Sequence, residues 1–293
     1  MNLKLYIGAH KTATTHVQNL LAANRQLLSS HNISLSIPTD IRPSWLPDFD
    51  KFVRSRDQAT LESILDKSPE NGVWVFSEEN ISGVPNDLRL KPGLYTGLPE
   101  KLLAFQEIFT GCQIEVFFSI RSYESFYASS YLEVIRNKGY FPFNEFYDES
   151  RYANNSWVDV VEKLVNIIGQ EQITLWRYED FTLLLPSVLQ RMTGLPQESI
   201  TTMISAYNVG KTRPSISNKT LSMLQKQHNL GLSKEDTIEV LESLNRKYPA
   251  SSKYGHFQAF DYEQTRVFKG QYKKDVNSIS SRFPNVNFLH INS

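Results

Sequence analysis

The run Gly8-Ala9-His10-Lys11-Thr12-Ala13-Thr14-Thr15 places a cation and three hydroxyls within eight positions of one glycine. An apolar stretch, Leu3–Ile7, precedes it. A helical pattern comes after it, with Val17, Leu20, Leu21 and Leu28 on one face. The segment therefore reads as the turn between a strand and a helix. Such a turn aims free backbone N–H groups and the positive end of the helix dipole at one point, which favours an anion. Lys11 adds a mobile charge, and Thr12, Thr14 and Thr15 add donors, a combination suited to a phosphate or sulfuryl group. An ordinary turn with a solvated lysine stays open on this segment alone.

Two further cationic groups lie far along the chain. Arg121 directly follows the apolar run Ile114–Ile120, and Ser129 comes eight residues later. An arginine leaving the carboxyl edge of a sheet can grip a phosphate through two parallel N–H bonds. A serine on the next helix can donate to the same group, and ligands of open α/β sheets bind at that edge. Lys211 and Arg213, set between Gly210 and Pro214, form a stiff basic loop suited either to phosphate or to solvent. The six histidines show no HxxxH or HExxH spacing and Cys112 is the sole cysteine, so the pattern predicts neither a metal centre nor an intrachain disulfide.

Short apolar runs alternating with helical ones must position these groups, which predicts a parallel sheet with crossover helices. Strands are predicted at Leu3–Ile7, Val73–Phe76, Ile114–Ile120, Ile173–Trp176 and Val286–His290. Helices are predicted from Ser122 to about Asn137, over Val158–Ile168 and over Gln264–Phe283. Residues 38–72, 80–100 and 140–156 read as long connections building walls above the sheet. The aromatics of residues 140–157 (Tyr140, Phe141, Phe143, Phe146, Tyr147, Tyr152, Trp157) suit either an acceptor cleft or ordinary packing.

Apolar residues make up 40% and charged residues 21%, with 31 basic and 31 acidic side chains. That balance gives no global field towards nucleic acid or anionic lipid, so any anion site must be local. The opening apolar run is too short for a signal peptide, and no stretch reaches the roughly 20 apolar residues of a membrane span. The expectation is one cytoplasmic domain over residues 1–293.

The segment Tyr6–Thr15 resembles the 5′-phosphosulfate loop of sulfotransferases that use 3′-phosphoadenosine 5′-phosphosulfate, in particular bacterial, carbohydrate-type members with a histidine before the lysine. It departs at Ala13, where the family usually has glycine, and alanine there costs of order 1 kcal/mol if the backbone needs positive φ. Arg121 through Ser129 resembles the family's 3′-phosphate segment. Trp176-Arg177-Tyr178-Glu179-Asp180 resembles the segment whose tyrosine lies near the adenine, and Lys211 with Arg213 resembles a late phosphate-covering loop. The resemblance implies an α/β, P-loop-NTPase-like parallel sheet flanked by helices. It implies a nucleotide donor, no metal, and a carbohydrate or glycolipid acceptor.

By the same resemblance, His10, Lys11, Thr12, Ala13, Thr14, Thr15, Arg121, Ser129, Tyr178, Lys211 and Arg213 bind the donor. Lys11 balances charge on the leaving oxygen. Glu79, in a Ser-x-Glu-Asn pattern after the second predicted strand, takes the acceptor proton, with Glu78 as fallback. His10, His16 and His256 are the histidine alternatives for the base. A P-loop kinase using ATP on a nucleoside or sugar, and a non-catalytic nucleotide-binding protein, are the rival readings. The kinase reading leaves Arg121 and Ser129 unexplained and lacks a lysine in the GxxxxGK[ST] register.

Overall fold

The computed structural model describes residues 1–91, 93–149, 155–207 and 215–291. Six strands, β1 (Asn2–Tyr6), β2 (Ile33–Ser36), β3 (Val73–Ser77), β4 (Gln113–Ile120), β5 (Ile173–Arg177) and β6 (Asn287–Phe288), form one parallel sheet in the order β2-β3-β1-β4-β5-β6. Successive side chains point to opposite faces, which sorts the apolar runs into two cores. Leu3, Leu5, Trp74, Phe76, Val116, Phe118 and Leu175 pack on one face. Tyr6, Val75, Phe117 and Trp176 pack on the other. Helices cover both faces, as a parallel sheet requires. The fold class is therefore the predicted one, an α/β parallel sheet flanked by helices.

β1 lies in the centre, and the chain leaves β1 and β4 in opposite directions. The helix after β1, Thr14–Ala23, buries Val17, Leu20 and Leu21 against the Tyr6 face. The helix after β4, Tyr123–Lys138, buries Tyr123, Phe126 and Tyr131 against the other. Adjacent strands whose connections diverge leave a crevice at their carboxyl ends. The Gly8–Thr15 loop and Arg121 both open into it.

Several boundaries differ from the sequence reading. β2 was not predicted. Its Ile-Ser-Leu-Ser pattern buries only Ile33 and leaves the rest half-buried, the signature of a short edge strand. Residues 38–72 hold helices Trp45–Ser55 and Gln58–Asp66, with Pro47 in the first turn of the former. A proline costs little there, because that N–H has no intrahelical acceptor. The pattern reaching Leu28 is two helices, Thr14–Ala23 and Arg25–Ser30, separated at Asn24. Tyr140, Phe141, Phe146 and Trp157 are buried in the core, which assigns them to packing. Among the described residues no helix is long and apolar enough to cross a membrane.

Candidate functional site

The loop after β1 remains bonded to β4 beyond the strand's end. Ile7 N donates to Phe117 O at 3.2 Å and Ala9 N to Ser119 O at 3.2 Å. Gly8 is needed for close approach. A Cβ there would lie 3.1 Å from the Tyr6 ring, 3.3 Å from Ser119 Oγ and 3.4 Å from Thr12 Oγ1. Thr12 is fully buried. Its hydroxyl donates to Ala9 O at 2.5 Å and accepts from Ser119 Oγ at 2.6 Å. The Thr12 hydroxyl, one of the donors predicted for an anion, is thus spent inside the protein. It braces the loop.

Two non-glycine residues of this loop are left-handed, Lys11 at φ 64° and Ala13 at φ 65°. Ala13 occupies the position preceding the helix, with no side-chain cap. The alanine therefore does sit where glycine is preferred, at a cost of about 1 kcal/mol. The bends turn the chain so that the amides of Thr12, Ala13, Thr14 and Thr15 find no acceptor among the described residues. Thr14 Oγ1 is buried and makes no hydrogen bond of good geometry, its polar neighbour being the equally buried Tyr6 hydroxyl. A buried hydroxyl left unpaired is costly. Four free amides and one free hydroxyl beside a lysine make a ready anion cradle.

Arg121, at the end of β4, reaches across to this loop. Its Nη1 donates to the carbonyl of Lys11, and its Nε donates to Ser125 Oγ at 2.9 Å. The guanidinium lies 4.3 Å from the centroid of the Tyr178 ring. Burial lowers its pKa, while Tyr178, Glu179 and Glu124 act the other way. Nε and one N–H of Nη1 thus hold protein, while the second N–H of Nη1 and both of Nη2 have no acceptor among the described residues. Ser129 lies one helical turn beyond Ser125 on the same face, half-buried. Glu133, another turn on, accepts from Lys11 Nζ at 3.1 Å. Contacts on either side of Ser129 thus put it beside the cradle.

At the tip of β3 the two candidate bases have different surroundings. Glu78 is fully buried; Arg42 Nε and Nη2 each donate to it at 2.8 Å, and Asn80 N at 3.1 Å. Three of its about four lone-pair sites are committed. Glu79 is partly exposed, accepting from Gln18 Nε2 at 3.1 Å and from Arg42 Nη2 at 3.2 Å. His10, buried between them and the loop, meets Asn80 Oδ1 at 3.3 Å and Tyr95 Oη at 3.2 Å. Burial lowers its pKa, with Glu79 opposing, so the ring is neutral near pH 7. Tyr95 also borders a cavity of about 130 Å³ lined by Ser82, Asp87, Lys91, Thr96 and Lys101.

Of the remaining candidates, His16 packs edge-on against Phe181 and Tyr207, and His256 is exposed in a loop whose next residue, Phe257, packs on Tyr131. Lys211 and Arg213 lie outside the described residues. Glu133, Arg42, Gln18 and Tyr95 were not singled out from the sequence. The i, i+4 repeat Arg121-Ser125-Ser129-Glu133 was the one visible signal among them.

No family model matches the chain. A comparison with curated proteins finds no match either. Among solved structures, a sulfotransferase from Alicyclobacillus acidocaldarius aligns over 87% of this chain and 98% of its own, at 14% identity and a TM-score of 0.42. That likeness is too remote to assign an activity.

Proposed function

We propose that the chain, residues 1–293 acting as one domain, is a sulfotransferase. It would move a sulfuryl group from 3′-phosphoadenosine 5′-phosphosulfate to a hydroxyl of a carbohydrate or glycolipid. The observation that carries this reading is the bond from Arg121 to the Lys11 carbonyl, which joins two anion-binding segments 110 residues apart in one crevice.

The residues suit a doubly phosphorylated nucleotide. The free amides of residues 12–15, with the hydroxyls of Thr14 and Thr15, suit the 5′-phosphate. Arg121 Nη2 and Ser129 suit the 3′-phosphate, and the Tyr178 ring suits the base. Lys211 and Arg213 are further phosphate contacts on sequence grounds. When bound, the donor supplies a sulfuryl group activated by its anhydride link to the 5′-phosphate. Lys11 neutralises charge on the bridging oxygen, an electrostatic role parallel to that in phosphoryl transfer. Glu79, oriented by Gln18 and Arg42, accepts the acceptor's proton.

Calorimetry with adenosine 3′,5′-bisphosphate and with ADP, both without magnesium, tests the nucleotide class. Binding of the bisphosphate alone, weakened by Lys11→Ala, is expected. A preference for ADP with magnesium would replace this reading with a phosphoryl-transfer enzyme. Labelled donor offered to a panel of glycans and lipids tests the reaction. Tight binding with transfer to no acceptor would favour the non-catalytic reading.

A further inference from the structure

The helix Tyr123–Lys138 lays Ser125, Ser129 and Glu133 along the crevice at intervals of one turn. At one end Ser125 touches Arg121, and at the other Glu133 Oε2 holds Lys11 Nζ at 3.1 Å. Glu133 is fixed in place. Asn137 Nδ2 donates to its Oε1 at 3.2 Å and to its backbone carbonyl at 2.9 Å, while Arg136 Nη1 lies 4.0 Å from Oε2. Burial raises its pKa, but the charge and hydrogen bond of Lys11, with Asn137 and Arg136, outweigh that effect and hold it below the usual carboxylate range. The carboxylate is ionised at neutral pH. A fixed negative charge therefore stands at the lysine of a cradle otherwise built for anions.

Both partners are only partly exposed, at 32% for Lys11 and 24% for Glu133, so solvent screens the pair incompletely. An incoming anion must compete with Glu133 for Lys11, since an ammonium already paired with a carboxylate offers a second anion only part of its charge and its remaining N–H donors. It must also tolerate the carboxylate that remains. From this arrangement, and resting on the function proposed above, we propose that Glu133 is a counter-anion that holds Lys11 in the ligand-free protein and surrenders it when a polyanion enters the cradle. Glu133 then sets the affinity threshold of the site: an anion that cannot outcompete the carboxylate leaves Lys11 where it is.

Isothermal titration with adenosine 3′,5′-bisphosphate and with inorganic pyrophosphate tests this in wild type, Glu133→Gln, Glu133→Asp and Lys11→Ala. Glu133→Gln is expected to bind both probes about two- to fivefold more tightly, the scale of one partly screened ion pair. Glu133→Asp keeps the charge but is too short for the contact, and is expected to fall between wild type and Glu133→Gln. It also keeps the test alive should Glu133→Gln fold poorly. Unchanged or weaker binding in both variants, with Lys11→Ala still weakened, overturns the role of Glu133 and leaves the anion site standing. Equal binding by wild type and Lys11→Ala overturns the anion site itself, and Glu133 with it.

Discussion

Arg121 donates from Nη1 to the backbone carbonyl of Lys11, so the residue expected to grip one phosphate also fixes the loop expected to grip the other. Arg121→Ala removes that brace, the bond to Ser125 and the stacking on Tyr178 together. Loss of charged hydrogen bonds worth about 2–3 kcal/mol predicts a fall of about 30- to 150-fold in affinity for adenosine 3′,5′-bisphosphate. Arg121→Lys restores the charge but neither the planar fork nor the ring contact, and is expected to recover only a minor part. Calorimetry reads both. Full recovery by lysine would mean that charge alone matters.

Thr12 and Thr14 look alike in sequence and differ in fate. Thr12 Oγ1 is bonded on both sides, to Ala9 O and Ser119 Oγ, whereas Thr14 Oγ1 is buried with only the Tyr6 hydroxyl near it and no hydrogen bond of good geometry. Thr12→Val therefore leaves two buried groups unpaired and is expected to cost about 1–3 kcal/mol of stability. Thr14→Val loses only a poorly aligned contact with the Tyr6 hydroxyl, so stability is expected to change little while bisphosphate affinity falls about tenfold, the scale of one hydrogen bond to a charged group. Melting curves and titrations on the two variants separate the roles. A Thr14→Val variant that binds like wild type removes Thr14 from the cradle.

The division of labour between Glu78 and Glu79 gives a third contrast. Glu79→Gln keeps a side chain that Gln18 and Arg42 can still contact, yet removes the proton acceptor. A fall of about 10²–10⁴ in transfer rate with unchanged nucleotide affinity is expected. Arg42→Ala instead strands the buried Glu78 carboxylate, and is expected to cost about 3 kcal/mol of stability. Steady-state transfer assays and chemical denaturation check the pair. Full activity in Glu79→Gln moves the base elsewhere.

The core strands and the cradle were legible for one physical reason. β1, β3, β4 and β5 are buried on both faces, so Val73–Ser77 and Gln113–Ile120 stand out as apolar runs, and the residues just past their carboxyl ends form the functional edge. The edge strand β2 buries one side chain and hides among serines. Pro47 looks like a breaker and sits where a helix tolerates it. The pairs Lys11–Glu133 and Arg42–Glu78 span 122 and 36 residues, and no local pattern foretells which carboxylate meets which cation. The order of the sheet decides it. Ser129 could be placed beside Arg121 from its spacing, but not the diversion of Arg121 to Ser125 and Lys11.

His10 makes stability depend on pH. Burial lowers its folded-state pKa below the unfolded value of 6.5, so at pH below 6.5 the unfolded chain binds more protons and folding weakens as pH falls. His16, also lowered by burial, contributes in the same direction. The wild-type melting temperature is therefore expected to drop between about pH 7 and pH 5.5, above the range where carboxylates titrate. His10→Gln is expected to flatten that slope and leave the part owed to His16. An unchanged slope in His10→Gln would show that His10 is not held neutral by the fold.

Ala13 carries the last test, because its conformation and its side chain disagree. At φ 65° the residue lies where a Cβ crowds the following carbonyl, and glycine does not. Ala13→Gly relieves that crowding but adds freedom to the unfolded chain, for an expected net gain of about 0.5–1 kcal/mol. In a chain of this size that raises the melting temperature by about 1–2 °C. Ala13→Val adds a β-branched side chain at the same φ and is expected to destabilise by about 1–2 kcal/mol. Differential scanning calorimetry on the two variants measures opposite shifts if the left-handed turn is real. Bisphosphate affinity in Ala13→Gly is expected to stay close to wild type, since the amides of residues 12–15 keep their direction. A destabilised glycine variant would mean that this turn folds with negative φ, and the four free amides would then no longer converge.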